Sequence, residues 1–217
     1  MFAASTYEEI VAIEQKVENQ EVVVFLFVKP NDQTALDIIK EFEYIHYNSD
    51  KYCSIYAIGY TDDFSKKKDR HYKKVDCILD SDWYFSNKAF VEFKNKLEDR
   101  IGWKYSGETE ILILQNNPGK RNPLNFQNYI ALDINKGIRE GYIDSFQLFM
   151  ETLIRSSKSE VSAKGIVSDL RKGRISIKSI IQDTISECKK IPTPIKKIVS
   201  DRLFYRCANN YSLFDWS

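Results

Sequence analysis

The 217-residue chain reads as an α/β protein, a mixed sheet flanked by helices with an added all-helical C-terminal region. Three observations lead there. Residues 21–29 (EVVVFLFVK) form an unbroken run of β-branched and aromatic side chains, the mark of a strand buried on both faces. Helical periodicities lie on either side of that run, which is the alternation a parallel or mixed sheet requires. After Ser156 every segment carries the helical period and strand signals cease. The body is therefore assigned to residues 1–157 and the helical region to residues 158–217.

The elements follow from local chemistry. Thr6-Tyr7-Glu8-Glu9 has capping-box spacing, and Ile10, Ile13 and Val17 continue it as a helix. After the 21–29 strand, Pro30-Asn31-Asp32 is a turn that offers an N-cap. Leu36, Ile39, Phe42 and Ile45 then predict a single helix up to the Asn48-Ser49-Asp50 break. Residues 52–60 (YCSIYAIGY) are a second strand, 62–74 a charged loop, and 75–79 a short strand. The aromatic run 82–85 reads as part of a loop. Ser86 caps a helix bearing Phe90, Phe93, Leu97 and Ile101 on one face, with Gly102 placed to end it. Strands at 108–115 and 127–134 flank Asn116-Asn117-Pro118-Gly119 and form a hairpin. Asp144-Ser145-Phe146-Gln147 starts a further helix with Phe149, Met150, Leu153 and Ile154 on its face. Helices are then expected over 161–170, around Ile177–Cys188, and after the Thr193-Pro194 cap. The tetrapeptide Ile-Val-Ser-Asp recurs at 166–169 and 198–201, too short a match to define a repeat.

A crossover helix makes the strands at 21–29 and 52–60 parallel, and the tight turn makes 108–115 and 127–134 antiparallel. A βαβ half followed by a ββα half, joined by one helix, resembles the thioredoxin-like fold. The resemblance implies that a redox CxxC would sit where the 21–29 strand meets the next helix. Here that stretch is Lys29-Pro30-Asn31-Asp32-Gln33-Thr34, without a cysteine. It also implies a cis-proline just before the first hairpin strand, and Tyr105-Ser106-Gly107-Glu108 contains no proline. The resemblance is one of topology, and disulfide exchange at that turn is excluded for want of a thiol.

Composition narrows the function classes further. Eight glycines and no GxxxxGK[ST] or GxGxxG argue against a nucleotide cradle. Cys53, Cys77, Cys188 and Cys207 are widely spaced and lack zinc-ligand spacing, so thiols of a cytoplasmic protein are expected, with no metal and no cofactor. The longest apolar run is seven residues, and the N-terminal stretch lacks the pattern of a signal peptide, so no membrane association is expected. His46 and His71 build no catalytic constellation. Residues 1–157 hold 20 basic and 25 acidic side chains, net −5, whereas residues 158–217 hold 12 and 6, net +6. A basic region of this kind can contact nucleic acid or an acidic partner, dock on the acidic body of its own chain, or form a solvated helical face.

Three sets of candidate site residues emerge. Trp83, Tyr84 and Phe85, with Phe214 and Trp216 near the C-terminus, are large aromatics suited to anchoring a protein partner. Asp76 with Glu92-Phe93-Lys94 resembles the Asp…Glu-x-Lys signature of PD-(D/E)xK nucleases. That resemblance implies Mg²⁺ held by the two carboxylates and water activated by the lysine. The arrangement needs Glu92 and Lys94 on one strand, where alternate residues share a face, but the 86–101 periodicity is helical. Lys66, Lys67, Lys68, Arg70, Lys73 and Lys74, with Tyr72 among them, could meet a nucleic-acid backbone. The reading that best joins these observations is a non-catalytic cytoplasmic binding or adaptor protein on a degenerate thioredoxin-like scaffold, acting through protein contacts. A metal-dependent nuclease and a nucleic-acid-binding module are its alternatives.

Overall fold

In a computed structural model the described residues are 1–17, 22–49, 52–75, 82–117, 120–141, 143–162 and 205–207. They form a mixed sheet flanked by helices, with a second, small sheet at one end. The elements in chain order are β1 (Phe2–Ala4), α1 (Tyr7–Glu14), β2 (Val22–Phe27), α2 (Gln33–Lys40), α3 (Phe42–Ser49), β3 (Ser54–Ile58) and β4 (Tyr60–Thr61). A short 3₁₀ turn (Phe64–Lys68) leads to β5 (Lys73–Val75), β6 (Trp83–Phe85), α4 (Asn87–Ile101), β7 (Glu110–Asn116), β8 (Leu124–Asp133), α5 (Ile134–Arg139), α6 (Phe146–Ser162) and β9 (Tyr205–Cys207). The main sheet has the order β1-β3-β2-β7-β8-β9, and the small one β4-β6-β5. β2 runs parallel to β3 and β3 to β1; β7 is antiparallel to β2 and β8 antiparallel to β7.

β2 occupies the centre, and all six of its residues are buried. That burial is why its sequence is continuously apolar rather than alternating. Phe25 and Phe27 point to one face and meet Phe93 and Phe90 of α4 edge-on, with centroids 5.6 and 5.8 Å apart. Tyr7 of α1 meets Phe93 on the same face. Alternation puts Val24 and Leu26 on the other face, fully buried, and α3 packs against α2 and α6. Capping follows the sequence reading. Thr6 and Glu9 form a reciprocal capping box, Asp32 and Ser86 cap α2 and α4, and Gly102 ends α4 in the left-handed region at φ +69°.

Three expectations are corrected. The helix expected across Leu36–Ile45 is two, because at Glu41 the N–H donates to the Ile38 carbonyl, three residues back, and the ladder tightens. Phe42 then turns onto Tyr60 and Trp83. The 82–85 loop is in part a strand, β6, paired with both β4 and β5. Two elements, β1 and α5, carry too few residues to show a period. Finally, residues 205–207 are a strand on the β8 edge, so the C-terminal region is not all helical. Backbone groups along that edge gain partners from it. α6 also runs past the expected boundary at residue 157. The remaining expected helices of the C-terminal region lie outside the described residues. Among the described residues no helix is long and apolar enough to cross a membrane.

Candidate functional site

The aromatic trio chosen from sequence is core rather than surface. Trp83, Tyr84 and Phe85 are 3%, 3% and 8% exposed. Trp83 sits against Phe42 and Tyr60, and Phe85 against Tyr60 and Phe90. The reason is energetic: each such side chain gains roughly 1.5–3 kcal/mol by burial, and the small sheet provides the partner surface. These three side chains therefore form no exposed aromatic surface in this structure. Phe214 and Trp216 lie outside the described residues.

Glu92 and Lys94 sit in the middle of α4. Two residues apart on a helix they diverge by about 200°. Each makes its own ion pair one turn away: Lys88 with Glu92 at 3.9 Å, and Lys94 with Glu98 at 3.1 Å. The structure does not bring them to one point. Asp76 lies outside the described residues, and among the described residues no group of three metal-ligating side chains occurs.

The basic loop is a defined surface feature. Lys66 donates to Ser5 Oγ at 2.7 Å and pairs with Glu9 at 3.3 Å, and Lys74 pairs with Asp82 at 2.6 Å. Lys68, Arg70 and Lys73 are exposed; the Lys67 side chain is outside the described set.

A cluster of polar and aromatic groups lies elsewhere, at the end of the sheet where β2 leaves it. In open α/β sheets ligands bind outside the carboxyl ends of the parallel strands. There Phe27 pairs in register with Glu110, and Glu110 with Asp133, so β2, β7 and β8 present their ends together. Tyr105 enters from the α4–β7 connection, its ring among Phe27, Phe90 and Trp103 at centroid distances of 6.0, 5.5 and 6.0 Å. The Lys29 ammonium lies 4.9 Å from the Phe90 centroid and 5.4 Å from that of Tyr105. Both rings attract it through their quadrupoles.

The carboxylates around this point are each held. Glu110 is buried and accepts from Trp103 Nε1 and from the Ser106 N–H, both at 3.0 Å. Glu108 accepts from Asn135 Nδ2 at 2.9 Å, and Asp32 and Asp133 cap α2 and α5. Burial, followed by Glu110, Glu108, Asp133 and Asp32, pushes the Tyr105 phenol well above its ordinary range, so it stays a neutral donor. Among the described residues, neither the Tyr105 hydroxyl nor the Lys29 ammonium has a hydrogen-bond or ion-pair partner, although both residues are half-buried. The site thus offers donors to an incoming acceptor. It holds no thiol: the turn after β2 is Lys29-Pro30-Asn31-Asp32.

A second polar group lies deep in the body. Glu14, on the last turn of α1, is fully buried, yet its carboxyl accepts from the Tyr56 hydroxyl at 2.5 Å and from Asn116 Nδ2. Desolvation raises its pKa, and hydrogen bonds from Ser54 and Tyr56 offset part of the rise. Sequence reasoning missed Glu14 because a glutamate at the end of an amphipathic helix looks solvated. It missed Lys29 and Tyr105 as a pair because 76 positions separate them. Comparison with protein-family models, with curated proteins and with solved structures finds no match to this chain.

Proposed function

We propose that the chain is a non-catalytic cytoplasmic binding protein on a thioredoxin-like scaffold, contacting a protein partner through the end of the sheet where β2 meets α2. The strand order β1-β3-β2-β7-β8, with β1, β3 and β2 parallel and β7 and β8 alternating, supports the thioredoxin-like assignment. That fold conducts its chemistry at the turn after the central strand. This chain keeps the position and replaces the thiols with Lys29-Pro30-Asn31-Asp32, which leaves recognition without exchange. Cys53 is a fully buried thiol on the N-terminal side of β3, away from that turn. The observation that carries the reading is the pair of half-buried donors, Lys29 and Tyr105, without a protein acceptor among the described residues.

The test is site-specific photo-cross-linking of the full chain in its native host. A benzophenone side chain at position 105 is expected to give a discrete protein adduct that Lys29→Ala diminishes. The same group at the exposed Glu92 position is expected to give none. No adduct from position 105, or identical adducts from both positions, overturns the proposal.

A further inference from the structure

Residues 62–75 hold six Lys or Arg and three Asp, net +3, within a body whose first 157 residues are net −5. The segment is built rather than loose. Asp63 caps the 3₁₀ turn through the Ser65 N–H, Lys66 is tied to Ser5 and Glu9, and β5 pairs with β6. Between them, Asp69, Arg70, His71 and Tyr72 make a closed turn. The Tyr72 N–H donates to the Asp69 carbonyl at 3.0 Å and the His71 N–H to Asp69 Oδ1 at 2.9 Å.

That turn sorts the cations into two kinds. Lys66 and Lys74, at its base, are neutralised by Glu9 and Asp82. Lys68, Arg70 and Lys73 are exposed, and none has a carboxylate within 4.0 Å among the described residues. On α2 and α4, Lys40, Lys88, Lys94 and Lys96 each have such a carboxylate. Asp69, the acid inside the turn, spends one carboxyl oxygen on the turn's own backbone. Tyr72 is half-buried beside these cations, with the Lys66 ammonium 5.7 Å from its ring centroid. The next carboxylates along the chain, Asp76 and Asp80, lie outside the described residues.

A hydrogen-bonded turn that carries three exposed, uncompensated cations and an aromatic ring has the composition of a surface that tracks a phosphate backbone. Charge supplies the affinity, and the ring stacks on an unpaired base. We propose that the 62–75 segment is a contact surface for single-stranded nucleic acid, with Lys68, Arg70 and Lys73 on successive phosphates. A duplex would satisfy the cations but give Tyr72 no base face, and an acidic protein would not require the ring. The proposal goes beyond the partner-binding reading, since none of these residues belongs to the Lys29–Tyr105 site.

Fluorescence anisotropy of the full chain with an oligo(dT) of about 16 nucleotides, titrated between 50 and 200 mM KCl, tests it. Three phosphate contacts give a slope of log K against log salt near −2, about twentyfold weaker binding across that range. Arg70→Ala and Lys73→Ala are each expected to flatten the slope by about 0.7, the share of one phosphate. Tyr72→Ala weakens binding without changing the slope. Lys40→Ala, whose ammonium pairs with Asp37, changes neither. Absence of binding at 50 mM KCl, a slope that Arg70→Ala leaves unchanged, or equal binding of poly-glutamate through the same residues overturns the proposal.

Discussion

Replacing Glu14 separates two consequences of burying a carboxyl without a cation. Its oxygens accept from the Tyr56 hydroxyl and from Asn116 Nδ2 in a fully buried position. Glu14→Ala strands both donors at about 1–3 kcal/mol each, so a loss of about 2–6 kcal/mol is expected. Glu14→Gln keeps the shape. Its oxygen accepts from Asn116, and its nitrogen donates to Tyr56, whose hydroxyl can reverse, so its stability matches wild type at low pH and exceeds it once the Glu14 carboxyl ionises. The pH dependence moves the other way from that of an ordinary paired carboxylate. Because burial raises the folded-state pKa above the unfolded value of 4.5, the folded chain binds the proton more tightly. The stabilisation from this group is complete below about pH 4.5 and is lost as pH rises through the raised folded-state pKa. Urea unfolding of wild type and both variants from pH 4.5 to 8 is the assay. The difference between wild type and Glu14→Gln cancels the histidines and isolates this group. The reasoning is refuted if Glu14→Ala costs less than about 0.5 kcal/mol, well under a single stranded donor. A wild-type profile parallel to that of Glu14→Gln refutes it equally.

Three further outcomes follow from the packing. Gly59→Ala forces a side chain onto φ +85° with its Cβ 2.7 Å from Phe90 Cβ, and a loss of about 2 kcal/mol or more in thermal or urea unfolding is expected. Trp83→Ala empties a site against Phe42 and Tyr60 and is expected to cost about 3–5 kcal/mol, where a surface anchor would cost almost nothing; urea unfolding distinguishes them. Trp103→Phe keeps the tilted ring contact with Phe27 but removes the donor to Glu110, and about 1–3 kcal/mol of lost stability, read by urea unfolding, reports that bond.

The features legible in sequence were those whose causes lie within a few residues. The capping box at Thr6, the caps at Asp32 and Ser86, the left-handed Gly102 and the unbroken apolar run of β2 are all set by neighbours along the chain. Glu92 and Lys94 show the same rule applied to a site. The period of Phe90, Phe93 and Leu97 requires a helix, and a helix cannot turn both residues to one metal.

Burial of individual polar and aromatic groups was not legible, because it depends on which distant segment covers them. Trp83 is hidden by Phe42 and Tyr60 from other elements, and Glu14 by Tyr56 and Asn116. Lys29 meets Tyr105 because β2 and the α4–β7 connection come together at the same end of the sheet. From sequence alone came the longer helices and the central strands, the parallel and antiparallel halves and the absence of a thiol at the turn after β2, since propensity, capping and period act locally. Tertiary packing decided which aromatics are core, which carboxyl is buried and which cations remain uncompensated, since desolvation and charge pairing are set by the atoms that fold against a group and not by its neighbours in the chain.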